Sequence, residues 1–159
     1  MSKKIVIVSD THGRCETLER VMRIESPMDM LIHLGDVCSD EDYIEAIAHC
    51  PTVMIAGNND YLTHLPRTKA LRLGNASIHM EHGHRFSMGT SQIVRDAKDL
   101  GVNVMMYGHT HVPVLEKHDG IWLVNPGSLT YPRQQGMRPT YIVMTLEEDG
   151  EPCFELRYL

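Results

Sequence analysis

The chain has 159 residues, 42% of them hydrophobic and 23% charged, with a formal net charge of −6. That is enough for one domain over residues 1–159 with a core that needs no covalent staples. The negative balance excludes a general nucleic-acid surface, which needs a cationic excess to displace counterions from phosphates.

Residues 4–9 (KIVIVS) form a continuous apolar run, as in a strand buried on both faces. Residues 16–25 space Leu18, Val21, Met22 and Ile24 for an amphipathic helix. A second buried strand is predicted at 30–34, a second helix at 40–49 and a third strand at 52–56. This βαβαβ rhythm predicts a parallel sheet with right-handed crossovers. Strands at 69–73 and 76–80 meet at Gly74-Asn75, a hairpin signal. A helix follows over 91–100, stopped by Gly101, and then a strand over 102–107. The last third predicts strands at 112–117, 121–125, 140–146 and 153–158, with turns at His118-Asp119-Gly120 and Glu148-Asp149-Gly150. We read that tail as a mostly antiparallel second sheet. Two sheets face to face with helices outside give the expected fold: an α/β, four-layer αββα sandwich.

The run at the N-terminus is too short for a secretory leader, and no stretch approaches the roughly 20 apolar residues of a membrane helix. Cys15, Cys38, Cys50 and Cys153 contain no CxxC pair. A cytoplasmic protein with reduced thiols and no membrane partner is therefore expected, and neither a disulfide framework nor a zinc ribbon.

Chemistry gathers where the strands end, the usual place for functional groups in an open α/β sheet. Asp10 and His12 follow the first strand, Gly35-Asp36 the second and Gly57-Asn58-Asn59-Asp60 the third. Glu81-His82-Gly83-His84 follows the hairpin, and Gly108-His109-Thr110-His111 the next strand. Taken singly, such clusters are ordinary turn chemistry. Five in succession, each at a strand end, are hard to reconcile with a protein that holds no metal. The donors are carboxylate, imidazole and amide oxygen without thiolate, which suits Mn²⁺, Fe²⁺, Zn²⁺ or Ni²⁺. Two divalent ions against two ionised carboxylates and a bridging hydroxide leave about one net positive charge to attract a phosphate ester. Such a pair also lowers the pKa of bound water.

The ordered motifs Asp10-Thr11-His12, Gly35-Asp36, Gly57-Asn58, His82 and Gly108-His109-Thr110-His111 resemble the DxH, GD, GN, H and GHxH signature of the calcineurin-like metallophosphoesterases. Asn125-Pro126-Gly127-Ser128 and Pro132-Arg133 resemble the NPGS and PR segments of that superfamily's YfcE-like phosphodiesterase branch. The retromer subunit Vps29 shares the fold. The resemblance implies one metal held by Asp10, His12, Asp36 and His111, and a second held by Asp36, Asn58, His82 and His109, with Asp36 bridging. It further implies that hydroxide bridging the metals attacks phosphorus in line, and it makes a homodimer or higher assembly an expectation.

One position departs from the superfamily pattern. Many members read GNH, where the histidine serves the leaving group, and here that position is Asn59. Without a positioned acid, a contribution of about 10²–10⁴-fold is missing, and esters with good leaving groups are favoured. His84 is either a substitute, a phosphate contact or an exposed loop imidazole. Arg14, in the first loop, is either a phosphate clamp or a solvated residue. Asp60 either orients a ligand or caps a turn. His33, inside a buried strand, needs a hydrogen-bond partner more than a metal. Specificity is assigned to the loops at 61–68 and 130–138. The expected function is metal-dependent hydrolysis of a phosphodiester in a small phosphate-ester substrate. The alternatives are a phosphomonoesterase or nucleotidase on the same site, and a non-catalytic scaffold like Vps29.

Overall fold

Ten strands and three helices are laid out in the order β1 (Lys3–Val8), α1 (Glu16–Glu25), β2 (Met30–His33), α2 (Glu41–Ala48), β3 (Thr52–Met54), β4 (Thr68–Leu73), β5 (Ala76–Glu81), α3 (Thr90–Leu100), β6 (Val104–Met106), β7 (Val114–His118), β8 (Ile121–Asn125), β9 (Thr140–Leu146) and β10 (Cys153–Tyr158). They belong to a computed structural model that describes residues 2–86, 89–148 and 150–159. Asp149, the centre of the last expected turn, lies outside the described residues.

The strands form two five-stranded sheets, β10-β9-β1-β2-β3 and β4-β5-β6-β8-β7. In the first, β1 pairs parallel with β2, β2 parallel with β3, and β9 antiparallel with both β1 and β10. In the second, β5, β6 and β8 run parallel and the two edge strands antiparallel.

Alternation along the strands divides the core into three layers. Ile5, Ile7, Ile32, Ile142 and Met144 face Ile78, Met80, Val104, Met106 and Val124 between the sheets. The intervening residues Val6, Val8, Leu31, Tyr141 and Val143 face Leu18, Val21, Met22 and Ile44 of α1 and α2. On the far side, Met105, Ile121 and Leu123 meet Ile93, Val94 and Ala97 of α3. The expected αββα sandwich is therefore the observed fold. No helix among the described residues is long and apolar enough to cross a membrane.

The tail is placed differently from expectation. It is divided between the sheets: β7 and β8 complete the second, while β9 and β10 join the first. The reason is burial. Six of the seven residues of β9 are buried, and such a strand must have neighbours on both edges and cover on both faces. The edge of β1 offers that place. The second sheet takes its other strands from the middle of the chain.

Candidate metal centre

The loops after β1, β2, β3, β5 and β6 converge at one end of the sandwich. They bring together two groups of potential ligands, Asp10, His12 and His111 in one and Asp36, His82 and His109 in the other, with donor atoms in each within 4.8 Å of one another. The groups touch. Asp10 Oδ1 lies 3.6 Å from His12 Nε2, 3.6 Å from His82 Nε2 and 3.3 Å from His111 Nε2. Asp36 Oδ2 lies 3.5 Å from His12 Nε2 and 3.3 Å from His82 Nε2. Asn58 Oδ1 is 3.1 Å from His109 Nδ1. All seven sequence-predicted ligand positions thus face one small volume, and each carboxylate reaches an imidazole of the other group, Asp10 that of His82 and Asp36 that of His12.

Two atoms at its centre lack hydrogen-bond partners among the described residues. They are Asp10 Oδ1 and His82 Nε2, both fully buried. Buried polar atoms are nearly always paired, so this pair of orphans has the character of a cation cradle. Its partners are otherwise well held. His82 Nδ1 donates to Leu34 O at 2.8 Å and His111 Nδ1 to Tyr131 O at 2.8 Å, because a carbonyl only accepts. Each Nε2 is thereby turned to the carboxylates, the arrangement that orients metal-binding imidazoles.

Electrostatics agree. Burial alone would raise the Asp10 carboxyl, but His111, His12, His82 and Ser9 outweigh it and hold it far below its ordinary value. Burial likewise opposes His82 and Asn59 at Asp36, which settles at about 2. The two carboxylates raise His12, and they raise His82 against its burial. The chain has assembled negative charge and imidazoles that a divalent ion can hold without protons.

The backbone is strained at these residues. Asp10, His12, Asp36, His109 and His111 all have positive φ, between 51° and 70°. Side chains rarely adopt that region, and it costs of order 1–3 kcal/mol each. Close packing adds to it: a Cβ at Gly57 would overlap Asp36 Oδ1, and one at Gly108 would overlap Ser9 Oγ.

Residues behind the cradle hold it in shape. Asp60, buried in the loop after β3, accepts the backbone N–H of Asp36 (2.8 Å), Val37 (3.2 Å), Cys38 (2.7 Å) and Gly57 (2.8 Å). It both caps the turn at Gly57–Asp60 and holds the loop that carries Asp36. Asp10 Oδ2 accepts from Ser9 Oγ at 2.6 Å and from the His109 N–H at 3.0 Å. The Asn125-Pro126-Gly127-Ser128 segment is a brace: Asn125 Nδ2 donates to Gly108 O and Ser128 Oγ to Asp10 O. Arg133 contributes its backbone N–H to His111 O. His33 lies between Thr11 Oγ1 and the Gly35 N–H, and burial pushes its imidazole down to about 4.

The three residues expected to act on substrate are less uniform in place. Asn59 donates from its backbone and from Nδ2 to Asp36, at 2.9 and 3.0 Å, so its side chain holds a carboxylate. His84 is exposed, its ring 6.0 Å from that of His82 and 6.1 Å from that of His109. Arg14 is also exposed and lies over the Tyr131 ring, which is itself edge-on to His12. Sequence reasoning missed Ser9 and Arg67. Arg67 anchors on Gly57 O at 2.7 Å; nothing in its sequence neighbourhood sets it apart from other exposed arginines.

Two facing ligand groups at the loop ends of an αββα sandwich define a candidate dinuclear metal protein. The chain belongs to the calcineurin-like phosphoesterase superfamily, whose domain model matches residues 4–149. It is 28% identical to the probable metallophosphoesterase MG207 of Mycoplasma genitalium, over 98% of this chain and 94% of that protein. It is 30% identical to phosphodiesterase YfcE of Escherichia coli K12, over 82% of this chain and 81% of the relative. In structure it resembles Vacuolar Protein Sorting 29 of Cryptosporidium parvum, with a TM-score of 0.79 over 99% and 98% of the two chains at 15% identity.

Proposed function

We propose that this chain is a metal-dependent phosphodiesterase with Asp10, His12, Asp36 and His111 on one divalent ion and Asp36, Asn58, His82 and His109 on the other. The observation that carries the reading is the pair of buried, unpartnered atoms Asp10 Oδ1 and His82 Nε2, 3.6 Å apart inside a ring of further donors. The donor types admit Mn²⁺, Fe²⁺, Zn²⁺ or Ni²⁺, and Mn²⁺ is the ion proposed here. The preference for a diester is supported by the likeness to YfcE, named a phosphodiesterase.

When bound, two such ions supply Lewis-acid stabilisation of the phosphoryl oxygens and acidify water to a nucleophile. The residues of this chain supply rigidity. Asp60 fixes the loop that carries Asp36, Ser9 and Ser128 fix Asp10, and the carbonyls of Leu34 and Tyr131 set the imidazoles. Preorganised charge of this kind needs no rearrangement as negative charge develops on the phosphoryl group. Asn59 offers no proton to the leaving group, because a carboxamide is not an acid; one of its N–H groups donates to Asp36.

Metal analysis of the purified chain and a turnover assay test this reading. Two ions per chain and Mn²⁺-dependent hydrolysis of bis(p-nitrophenyl) phosphate are expected, with Asp36→Asn losing both. Faster turnover of p-nitrophenyl phosphate than of the diester would move the assignment to a phosphomonoesterase. No turnover together with unchanged metal content in Asp36→Asn would end it.

A further inference from the structure

Arg67, Thr68, Glu81, His82, His84 and Arg85 line one cavity, and its floor includes a proposed metal ligand. In a chain of net charge −6, two guanidinium groups and an imidazole open onto the same space. Neither arginine is a free-floating surface cation. Arg67 is tied through Nη1 to Gly57 O, one residue from Asn58. Arg85 reaches Glu81 Oε2 at 3.3 Å, while the other oxygen of Glu81 meets His79 Nε2 at 3.0 Å. Glu81 is the one carboxylate in this lining against two guanidinium groups, which leaves the lining with a cationic excess. Arg67 keeps further N–H donors beyond its anchor, in the planar fork that matches a carboxylate or phosphate.

We infer that this cavity is an anion subsite beside the metal centre, so that the substrate is a phosphoester bearing a second anionic group, a phosphate or a carboxylate. The inference rests on the phosphoesterase reading and deepens it. The reacting phosphate lies at the Asp36–His82 centre, and the second anion lies against Arg67, Arg85 and His84. Nothing is transferred at this subsite; it holds and orients. It also assigns a use to the specificity loop at 61–68, whose contribution is the fixed Arg67 guanidinium.

Two matched esters test it in the Mn²⁺-loaded enzyme: p-nitrophenyl phenyl phosphate and p-nitrophenyl 4-carboxyphenyl phosphate, which differ by one carboxylate. The carboxylated ester is expected to have about tenfold higher kcat/KM, the size of one charge-assisted hydrogen bond at a solvent-open site. That ratio is expected to fall toward one in Arg85→Gln and Arg67→Gln, and to shrink with added salt. Arg85 is largely exposed, so its variant carries the test if Arg67→Gln does not fold. Equal rates on the two esters, or a ratio that survives both variants, overturns the subsite while leaving the phosphodiesterase reading intact. If neither ester is turned over, the metal-free chain is titrated with inorganic phosphate and the Arg Nε–H resonances are followed. Shifts at Arg67 and Arg85 support the subsite, and their absence overturns it.

Discussion

Asp60 accepts the backbone N–H of Asp36 at 2.8 Å, and the same carboxylate takes the N–H groups of Val37, Cys38 and Gly57. Four donors from two loops converge on one buried side chain. Asp60→Asn retains the shape but turns an NH₂ group toward backbone donors, so part of the set is left unpaired. Residues that support metal ligands typically change affinity by about 10–100-fold when altered. A loss of that size in Mn²⁺ affinity is expected by calorimetry, with Asp36 itself unchanged in the sequence. Wild-type affinity in the variant would mean that Asp60 only closes a turn.

Gly57 makes the second prediction. A Cβ there would overlap Asp36 Oδ1 and crowd the Asp36 backbone N. Neither atom can retreat, because Oδ1 is bonded to the Asn59 N–H and the backbone N to Asp60. Gly57→Ala therefore displaces Asp36, whose Oδ2 faces both His12 and His82. Metal content is expected to fall from two ions per chain to one or none, read by elemental analysis of folded protein. Retention of both ions would show that the loops yield more easily than their hydrogen bonding implies.

Ser128 distinguishes the two groups. It is fully buried, donates to Asp10 O at 2.8 Å and accepts from the N–H of Tyr131 at 2.9 Å and of Thr130 at 3.2 Å. Ser128→Ala leaves those groups short of a partner, at a cost of about 1–3 kcal/mol. That corresponds to a fall in Tm of roughly 2–12 °C for a chain of this size. The Asp10–His12–His111 side is expected to lose metal before the Asp36–His82–His109 side, because both Asp10 and Tyr131 are held by this hydroxyl. Stepwise metal release under a chelator measures the order, and simultaneous release would count against the two-group description.

These residues also explain how far the sequence could be read. The strands and helices were legible because apolar runs and 3.6-residue spacing are local signals, and the ligand types stood at strand ends. The strand limits were set too wide at Ser9, Leu34 and Tyr107, where the chain leaves the ladder to present side chains to the site. Of the tail, β7 and β8 lie in the second sheet as expected, but β9 and β10 do not, because β9 pairs with β1 across more than 130 residues and hydrophobicity does not name a partner. Three features of the centre left no pattern to find. Positive φ at Asp10 and Asp36 is a backbone property. The role of Asp60 depends on two loops meeting, and the anchor of Arg67 is a carbonyl ten residues away.

Glu25 provides a pH prediction away from the metal site. It ends α1 with only 1% of its surface exposed and accepts from Lys4 Nζ at 2.7 Å, Tyr141 Oη at 2.7 Å and Arg157 Nη1 at 2.6 Å. Burial by itself would lift its carboxyl, but these three donors outweigh burial and hold it below the usual carboxylate range. A depressed folded-state pKa stabilises the protein fully above the unfolded-state value, about 4.3 for Glu, and that stability is lost as pH falls through the folded-state value. Glu25→Gln keeps the size and removes the charge, leaving Lys4 and Arg157 facing an amide. Both cations keep about a third of their side chains in water, so the cost at pH 7 is at the low end for a broken buried pair, about 3 kcal/mol. Urea unfolding of the metal-free wild type and variant from pH 7 down to pH 3 measures this directly. The stability difference between them is expected to be constant near neutrality and to shrink below about pH 4.3. A difference that stays the same down to pH 3 would show that the Glu25 charge contributes nothing to the fold.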